Sequence, residues 1–177
     1  MKGWRIISET VLKGRIFNIR RDTISIGDRE IVREVVEHPG AVAIIPVLNT
    51  DKIILVRQYR HAIGDELLEI PAGTIEAGES LEECASRELM EETGYRAGRL
   101  FKIGEYFLAP GYSTELIHLF KAEELVRVGP SNQEDEDIET VICSIGDALE
   151  MVGRGIIRDA KTIAGLFIFS RSAPSRS

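Results

Sequence analysis

Between Gly73 and Gly94 the chain must build a helix that turns acid toward its own core. The segment reads G-x5-E-x7-R-E-L-x-E-E-x-G, with Gly73, Glu79, Arg87, Glu88, Glu91, Glu92 and Gly94 in fixed places. With each residue type near ~7% usage, seven fixed identities match a random register on the order of once in 10⁸. Ser80 followed by Glu83 forms a capping box, which predicts a helix starting at Leu81, and Gly94 suits its C-terminal cap. At about 100° per residue, Leu81, Cys84, Ala85, Glu88, Leu89, Glu91 and Glu92 fall on one side. Glu82, Glu83, Ser86, Arg87, Met90 and Thr93 fall on the other. The apolar side therefore carries three carboxylates. Two like charges ~4 Å apart repel by ~4 kcal/mol at an effective dielectric near 20, and burial without a partner raises carboxyl pKa values. A hard divalent cation removes the conflict, since Mg²⁺ combines one or two carboxylates with waters and substrate phosphates. A solvated acidic helix face is the plainer alternative. Arg87 is spaced to pair with Glu83 and Glu91, which suits a structural role.

Composition fits a single-domain soluble enzyme. The chain has 177 residues, 44% hydrophobic and 29% charged, enough for one sizeable core and too few for two comfortable domains. With 22 basic and 29 acidic residues the formal charge is −7, which disfavours general nucleic-acid binding through a basic surface. An anionic substrate must then be met by local arginines and metal. Cys84 and Cys143 show neither CxxC nor Cys/His spacing, so no zinc site or disulfide framework is indicated, and a reducing cytosol is the expected compartment. No apolar run approaches the ~20 residues of a membrane span, and the start lacks a signal core.

Strand patterns dominate before the acidic helix. Arg15–Arg21 and Thr23–Ile26 read as strands, followed by the turn Gly27-Asp28-Arg29 and a strand over Glu30–Glu37. Ala41–Leu48 and Ile53–Tyr59 flank the turn composition Asn49-Thr50-Asp51 and are expected to form an antiparallel pair at the sheet's centre. Arg99–Leu108, Leu116–Ala122 and Glu139–Ile145 are further strands. Helices are expected over Asp147–Val152 and Asp159–Phe169, with a frayed end over Ser170–Ser177.

The Gly73–Gly94 segment resembles the Nudix box of the Nudix hydrolases, with Tyr95 where that family prefers an aliphatic residue. The resemblance implies an α+β fold, an α/β/α sandwich whose mixed β-sheet is flanked by helices, with the antiparallel β-rich portion at the N-terminus. It also implies hydrolysis of a nucleoside diphosphate linked to another moiety. Glu88, Glu91 and Glu92 would be the metal-binding carboxylates, Arg87 an ion-pair partner, and Gly73 the residue that allows a tight loop.

Pro110 lies 15 positions after Tyr95, the mark that separates ADP-ribose pyrophosphatases from other Nudix enzymes. Val56-Arg57-Gln58-Tyr59-Arg60 and Glu69-Ile70-Pro71-Ala72-Gly73 resemble the same subfamily, and the likeness covers nearly all the chain. It implies Mg²⁺, with Mn²⁺ as a substitute, and a metal contact from the Ala72 carbonyl. Arg60 would meet the diphosphate, with Arg57 and Thr74 as further substrate contacts, and Ala109, Pro110, Gly111 and Glu115 would line the ribose side. Glu134 would be the general base, with Glu136 as a further metal ligand or the alternative base, and Glu91 would share in catalysis. Resemblance further implies a homodimer through residues 1–40, with Arg33 and Glu34 reaching the partner's adenosine end and Trp4 as a possible stacker. Residues 41–170 would then be the catalytic domain and 171–177 a flexible tail. Neither nucleic acid nor membrane is an expected partner. A different nucleotide sugar or a dinucleotide as substrate, and a non-catalytic ADP-ribose sensor, are the alternatives.

Overall fold

A computed structural model of the protein describes residues 4–129 and 138–172. The chain first lays down three antiparallel strands, β1 (Trp4–Lys13), β2 (Asn18–Ile26) and β3 (Arg29–Glu37), in a sheet of their own. Strands β4 (Ala41–Pro46), β5 (Lys52–Arg60), β6 (Asp65–Glu69) and β7 (Ala72–Thr74) lead into helix α1 (Leu81–Thr93). After it come β8 (Tyr95–Arg96), β9 (Arg99–Phe107), β10 (Leu116–Glu123), β11 (Val126–Arg127) and β12 (Ile138–Ser144), then helices α2 (Ile145–Gly153) and α3 (Ala160–Ser172).

The central sheet has the order β7-β4-β10-β9, with β4 and β10 parallel and the outer pairs antiparallel. Val42, Ile44, Phe120 and Ala122 project to one face and meet Cys84, Ala85 and Leu89 of α1. Ala43, Ile45, Ile117 and Leu119 project to the other, toward Ala148 of α2 and Leu166 of α3. Successive side chains of a strand point to opposite faces, so a strand covered on both sides is apolar throughout. This is why Ala41–Leu48 reads as an unbroken apolar run, and why the helix–sheet–helix sandwich forms around it. Leu89 is wholly buried in that contact, and its truncation to alanine would cost ~2–5 kcal/mol through the cavity left behind.

The expected β4–β5 pairing is not what forms. The Asn49-Thr50-Asp51 turn does bring the two runs together, with a bridge at Val47 and Ile53. Beyond it they part, because β7 and β10 occupy both edges of β4, while β5 lies between β12 and β6 in a second sheet. Strand β1 was not evident in the sequence, since Ile6, Ile7, Val11 and Leu12 place apolar groups on both of its faces and blur the period of two. The two strands expected over residues 15–26 are one strand, β2. Helix α2 starts two residues early, because Ser144 and Asp147 form a capping box of their own. Asp159 caps α3, accepting the Thr162 N–H at 2.9 Å, and the helix continues past the expected fraying point to Ser172.

Candidate active site

Helix α1 begins and ends where its capping residues predict. Ser80 N–H donates to Glu83 Oε2 at 2.8 Å, Glu83 N–H donates to Ser80 Oγ at 3.3 Å, and Gly94 caps the far end with φ 73°. Its buried side holds Cys84, Ala85, Glu88, Leu89, Glu92 and Thr93. Two of the three expected carboxylates are therefore inside, at 6% exposure for Glu88 and 4% for Glu92. Glu91 sits at the boundary with a side chain 31% exposed. Thr93 was expected outside, yet it is buried with its hydroxyl donating to the Leu89 carbonyl.

Arg87 organises this acidic surface. Its guanidinium donates to Glu79 through Nε at 2.8 Å and Nη2 at 2.9 Å, to Glu88 Oε1 through Nη1 at 2.5 Å, and to Glu91 Oε2 at 3.2 Å. The same Nη2 reaches the Thr74 carbonyl at 3.2 Å, tying α1 to the end of β7. The expected partner Glu83 is instead committed to the Ser80 cap, so the long-range partner is Glu79. Paired with Arg87, the Glu79 carboxyl is held down at about 2. Burial pushes the Glu88 carboxyl above its usual range, against the pull of Arg87. Burial pushes Glu92 further, to about 8, although the Ala72 N–H donates to its Oε2 at 3.0 Å and partly offsets the effect.

Gly73 has a different reason to be glycine from the tight loop expected. It lies in β7 outside the left-handed region of φ, and a Cβ built there would fall inside the Glu88 carboxylate. The missing side chain makes the space that the carboxylate fills.

Ala72, Gly73, Thr74, Glu88 and Glu92 form one wall of a cavity of ≈ 390 Å³. Arg60, Glu115, Asp159 and Lys161 stand around it. Arg60 grips the buried Glu69 with Nε at 2.8 Å and Nη2 at 2.6 Å, the two-pronged geometry typical of arginine with a carboxylate. Lys161 Nζ joins the same Glu69 carboxylate and also meets Asp159 Oδ2 at 3.1 Å. Burial alone would raise the Glu69 pKa, but its Arg60 and Lys161 partners outweigh it and hold the group ionised below its usual value. The first turn of α3 is locked to this wall, with Ile70 N–H donating to Thr162 Oγ1 at 2.9 Å and Tyr106 OH to the Lys161 carbonyl at 2.7 Å. A hollow of ≈ 590 Å³ beside Phe101 and Phe169 contains none of the box residues, so size alone does not mark the site.

Of the residues singled out from sequence, the cavity gathers Arg60, Ala72, Thr74, Glu88, Glu92 and Glu115. Arg57 alternates to the other face of β5 from Gln58 and Arg60 and meets Glu139 at 3.5 Å on the surface. Pro110 and Gly111 are exposed in the turn after β9, where the Ala109 carbonyl accepts the Ser113 N–H at 2.9 Å. Arg33 and Glu34 lie exposed on β3, away from the cavity. Glu134 and Glu136 fall outside the described residues. Asp159 and Lys161 were missed; their signal was the D-x-x-T cap before α3, which places the lysine in the helix's first turn. Glu69 stood within a quoted motif without a role.

Among the described residues no three His, Cys, Asp or Glu side chains already converge as a metal cluster. Glu88 and Glu91 turn toward Arg87, while Glu92 turns toward the Ala72 amide. The donor set nonetheless fits a hard divalent ion. The Glu88 and Glu92 side chains are both buried and line one cavity, and the space that Gly73 leaves open lets the Glu88 carboxylate pack against the β7 backbone.

The Nudix domain family matches residues 37–166, which run from the end of β3 into α3 and include every residue lining the cavity except Ile16. An ADP-ribose pyrophosphatase of Bacillus subtilis (strain 168) is 39% identical over 160 residues, covering 89% of this chain and 86% of that one. A GDP-mannose pyrophosphatase of Salmonella typhimurium is 37% identical over 174 residues, covering 89% of this chain and 90% of that one. A solved structure described as an ADP compounds hydrolase superposes with a TM-score of 0.83 at 25% identity, covering 97% of this chain and 94% of that one. Nudix hydrolases generally use divalent metals, in keeping with the buried carboxylates of α1. With the box on α1, the sandwich around it and the match over residues 37–166, this chain belongs to the Nudix family of hydrolases.

Proposed function

We propose that this protein hydrolyses the diphosphate of ADP-ribose, giving AMP and ribose 5-phosphate, with Mg²⁺ as its metal and Mn²⁺ as a substitute. The observation that carries this reading is a cavity lined by Glu88 and Glu92 together with Arg60 and Lys161. Carboxylates alone would repel a diphosphate, and basic residues alone would not hold a divalent ion; both occur on one hollow of small-molecule size. The ADP-ribose pyrophosphatase of Bacillus subtilis supports the choice of substrate.

Glu88 and Glu92, with Glu91 and the Ala72 carbonyl, would hold the metal. When bound, such an ion neutralises the diphosphate and makes water a better nucleophile. Arg60 suits the substrate's phosphate, because guanidinium stays charged and donates in a planar fork. Glu69 fixes its orientation in advance. Arg87 binds no substrate in this scheme and keeps Glu88 and Glu91 in place. Glu134 takes the proton from the attacking water, or Glu136 does, as the family resemblance implies. Rate enhancement then comes from orientation and electrostatic stabilisation, without a covalent nucleophile. Glu134→Gln and Glu136→Gln, assayed separately, identify the base: the one that loses most of kcat holds it, and equal mild losses refute both.

Exposed Trp4, Ile6, Ile7 and Leu12 on β1 support pairing of residues 1–40 with a second copy, which sedimentation of the purified chain would test. A cytosolic site of action completes the proposal; among the described residues no helix is long and apolar enough to cross a membrane. Similarity to a GDP-mannose pyrophosphatase favours a second reading, hydrolysis of that nucleotide sugar. Comparing kcat/KM for ADP-ribose and GDP-mannose with Mg²⁺ decides between them: a higher value for GDP-mannose refutes the first.

A further inference from the structure

The elbow His38-Pro39-Gly40, between β3 and β4, touches both the loop that follows β9 and the loop that enters α1. On one side Thr114 Oγ1 accepts the His38 N–H at 2.9 Å and donates to the His38 carbonyl at 3.2 Å. Two residues earlier, Val36 N–H donates to the Tyr112 carbonyl at 2.8 Å, and Thr114 N–H to the Val36 carbonyl at 3.0 Å. On the other side the Gly40 carbonyl accepts the Ile75 N–H at 3.2 Å, one residue beyond β7. Gly40 has φ +99°, and a Cβ there would lie 3.2 Å from Ile75 Cδ1 and 3.3 Å from the Leu116 carbonyl oxygen, so the backbone is wedged between the loop into α1 and the start of β10 and needs glycine. One side-chain bond sets the bend: Gly40 N–H donates to His38 Nδ1 at 3.1 Å.

We propose that His38 is a positioning residue whose Nδ1, by holding the Gly40 amide, keeps the Pro110–Glu115 loop and the Gly73–Ile75 segment in one relative arrangement. The inference rests on the functional reading above, in which those segments serve the ribose side and the carboxylate wall of the cavity. An accepting Nδ1 carries no proton, so the neutral ring has its hydrogen on Nε2. A protonated ring donates from both nitrogens; two N–H groups then face each other and the elbow loses its bond. The charged groups around the ring are Glu37 on β3, held by Arg20 of β2 at 2.5 Å, and Arg15 of the β1–β2 turn, which lines a shared hollow. Glu76 and Glu79 of the loop into α1 lie beyond Pro39.

His38→Ala and His38→Asn separate positioning from packing. Asparagine Oδ1 accepts an N–H two residues on, as in an Asx turn, and takes up no proton. His38→Ala should lower kcat/KM for ADP-ribose by about tenfold or more, the scale of a slightly misplaced site, with melting still well above the assay temperature. His38→Asn should remain within about threefold of wild type. Wild-type kcat/KM in His38→Ala, or equal impairment in His38→Asn, overturns the proposal. Imidazole ¹⁵N spectra of the substrate-free protein at about pH 8 give a readout apart from activity. A hydrogen on Nε2 of His38 is expected, and one on Nδ1 overturns the proposal. If wild type leaves ADP-ribose intact, the functional reading fails by itself, and the variants are scored on GDP-mannose.

Discussion

Substituting Gly73 with alanine places a methyl group inside the Glu88 carboxylate while leaving the backbone unstrained, since φ there is outside the left-handed region. The carboxylate sits at the end of a flexible side chain, so it yields and the strand does not. To restore ordinary contact it must move by more than about 1 Å, a displacement that can lower catalysis by about 10²-fold. The move also breaks its hydrogen bond to Arg87 Nη1. Losing a hydrogen bond to a charged group costs about 1.5–3 kcal/mol, and alanine in a strand returns about 0.5–1 kcal/mol relative to glycine. The net is about 0.5–2.5 kcal/mol, or a fall in Tm of about 1–10 °C for a chain of this size. Mg²⁺-dependent ADP-ribose hydrolysis and thermal unfolding, measured on Gly73→Ala, Glu88→Ala and the double variant, test this directly. If displacement of Glu88 is the whole effect, Gly73→Ala removes no further activity from Glu88→Ala. Wild-type kcat/KM in Gly73→Ala, or an equal loss in both backgrounds, would show that Glu88 is not displaced from a working position.

Glu92 makes the metal-free protein sensitive to pH. Its folded carboxyl is raised from 4.5 to about 8, so the folded chain keeps a proton that the unfolded chain releases, and stability falls as pH rises across that window. At about 1.36 kcal/mol per unit the penalty above pH 8 is about 3–6 kcal/mol; denaturant titrations without metal should show this slope in wild type and its absence in Glu92→Gln, and parallel curves would contradict it. Arg87→Lys keeps the charge but cannot serve Glu79, Glu88, Glu91 and the Thr74 carbonyl together. It should therefore lose about 1–3 kcal/mol in denaturant titration, and unchanged stability would mean that the fork is dispensable. Lys161→Met leaves buried Glu69 to Arg60 alone; KM for ADP-ribose should rise about tenfold or more as Arg60 is drawn inward, and an unaltered KM would count against a role for Lys161 at the cavity.

The acidic helix was legible because its signals are local. Capping at Ser80, Glu83 and Gly94 depends on neighbours a turn away, and the burial of Glu88 and Glu92 follows from helical period alone. Glu91 and Thr93 sit near the boundary between faces, where the tilt of α1 against β4 and β7 decides exposure; a periodic pattern does not contain that tilt. The partners of Arg87 and Arg60 were harder. Glu79 is eight residues before Arg87, beyond helical spacing, and Lys161 meets Glu69 across 92 positions. The β4–β5 expectation failed for a related reason: a turn composition shows that a chain reverses, and not which strands later occupy each edge. Arg57 lies outside the cavity although its neighbours Gln58 and Arg60 line it, because adjacent strand residues face opposite sides.

In the proposed function the buried carboxylates of α1 hold a divalent ion against the substrate's diphosphate. A crystal structure with Mn²⁺ and a non-hydrolysable ADP-ribose analogue, read by anomalous scattering, tests it most directly. Ion density contacting Glu88 and Glu92 oxygens and the analogue's phosphates is expected, with Glu92 released from the Ala72 amide. Analogue bound in the cavity with Glu92 still on that amide, and no ion beside either carboxylate, would contradict it.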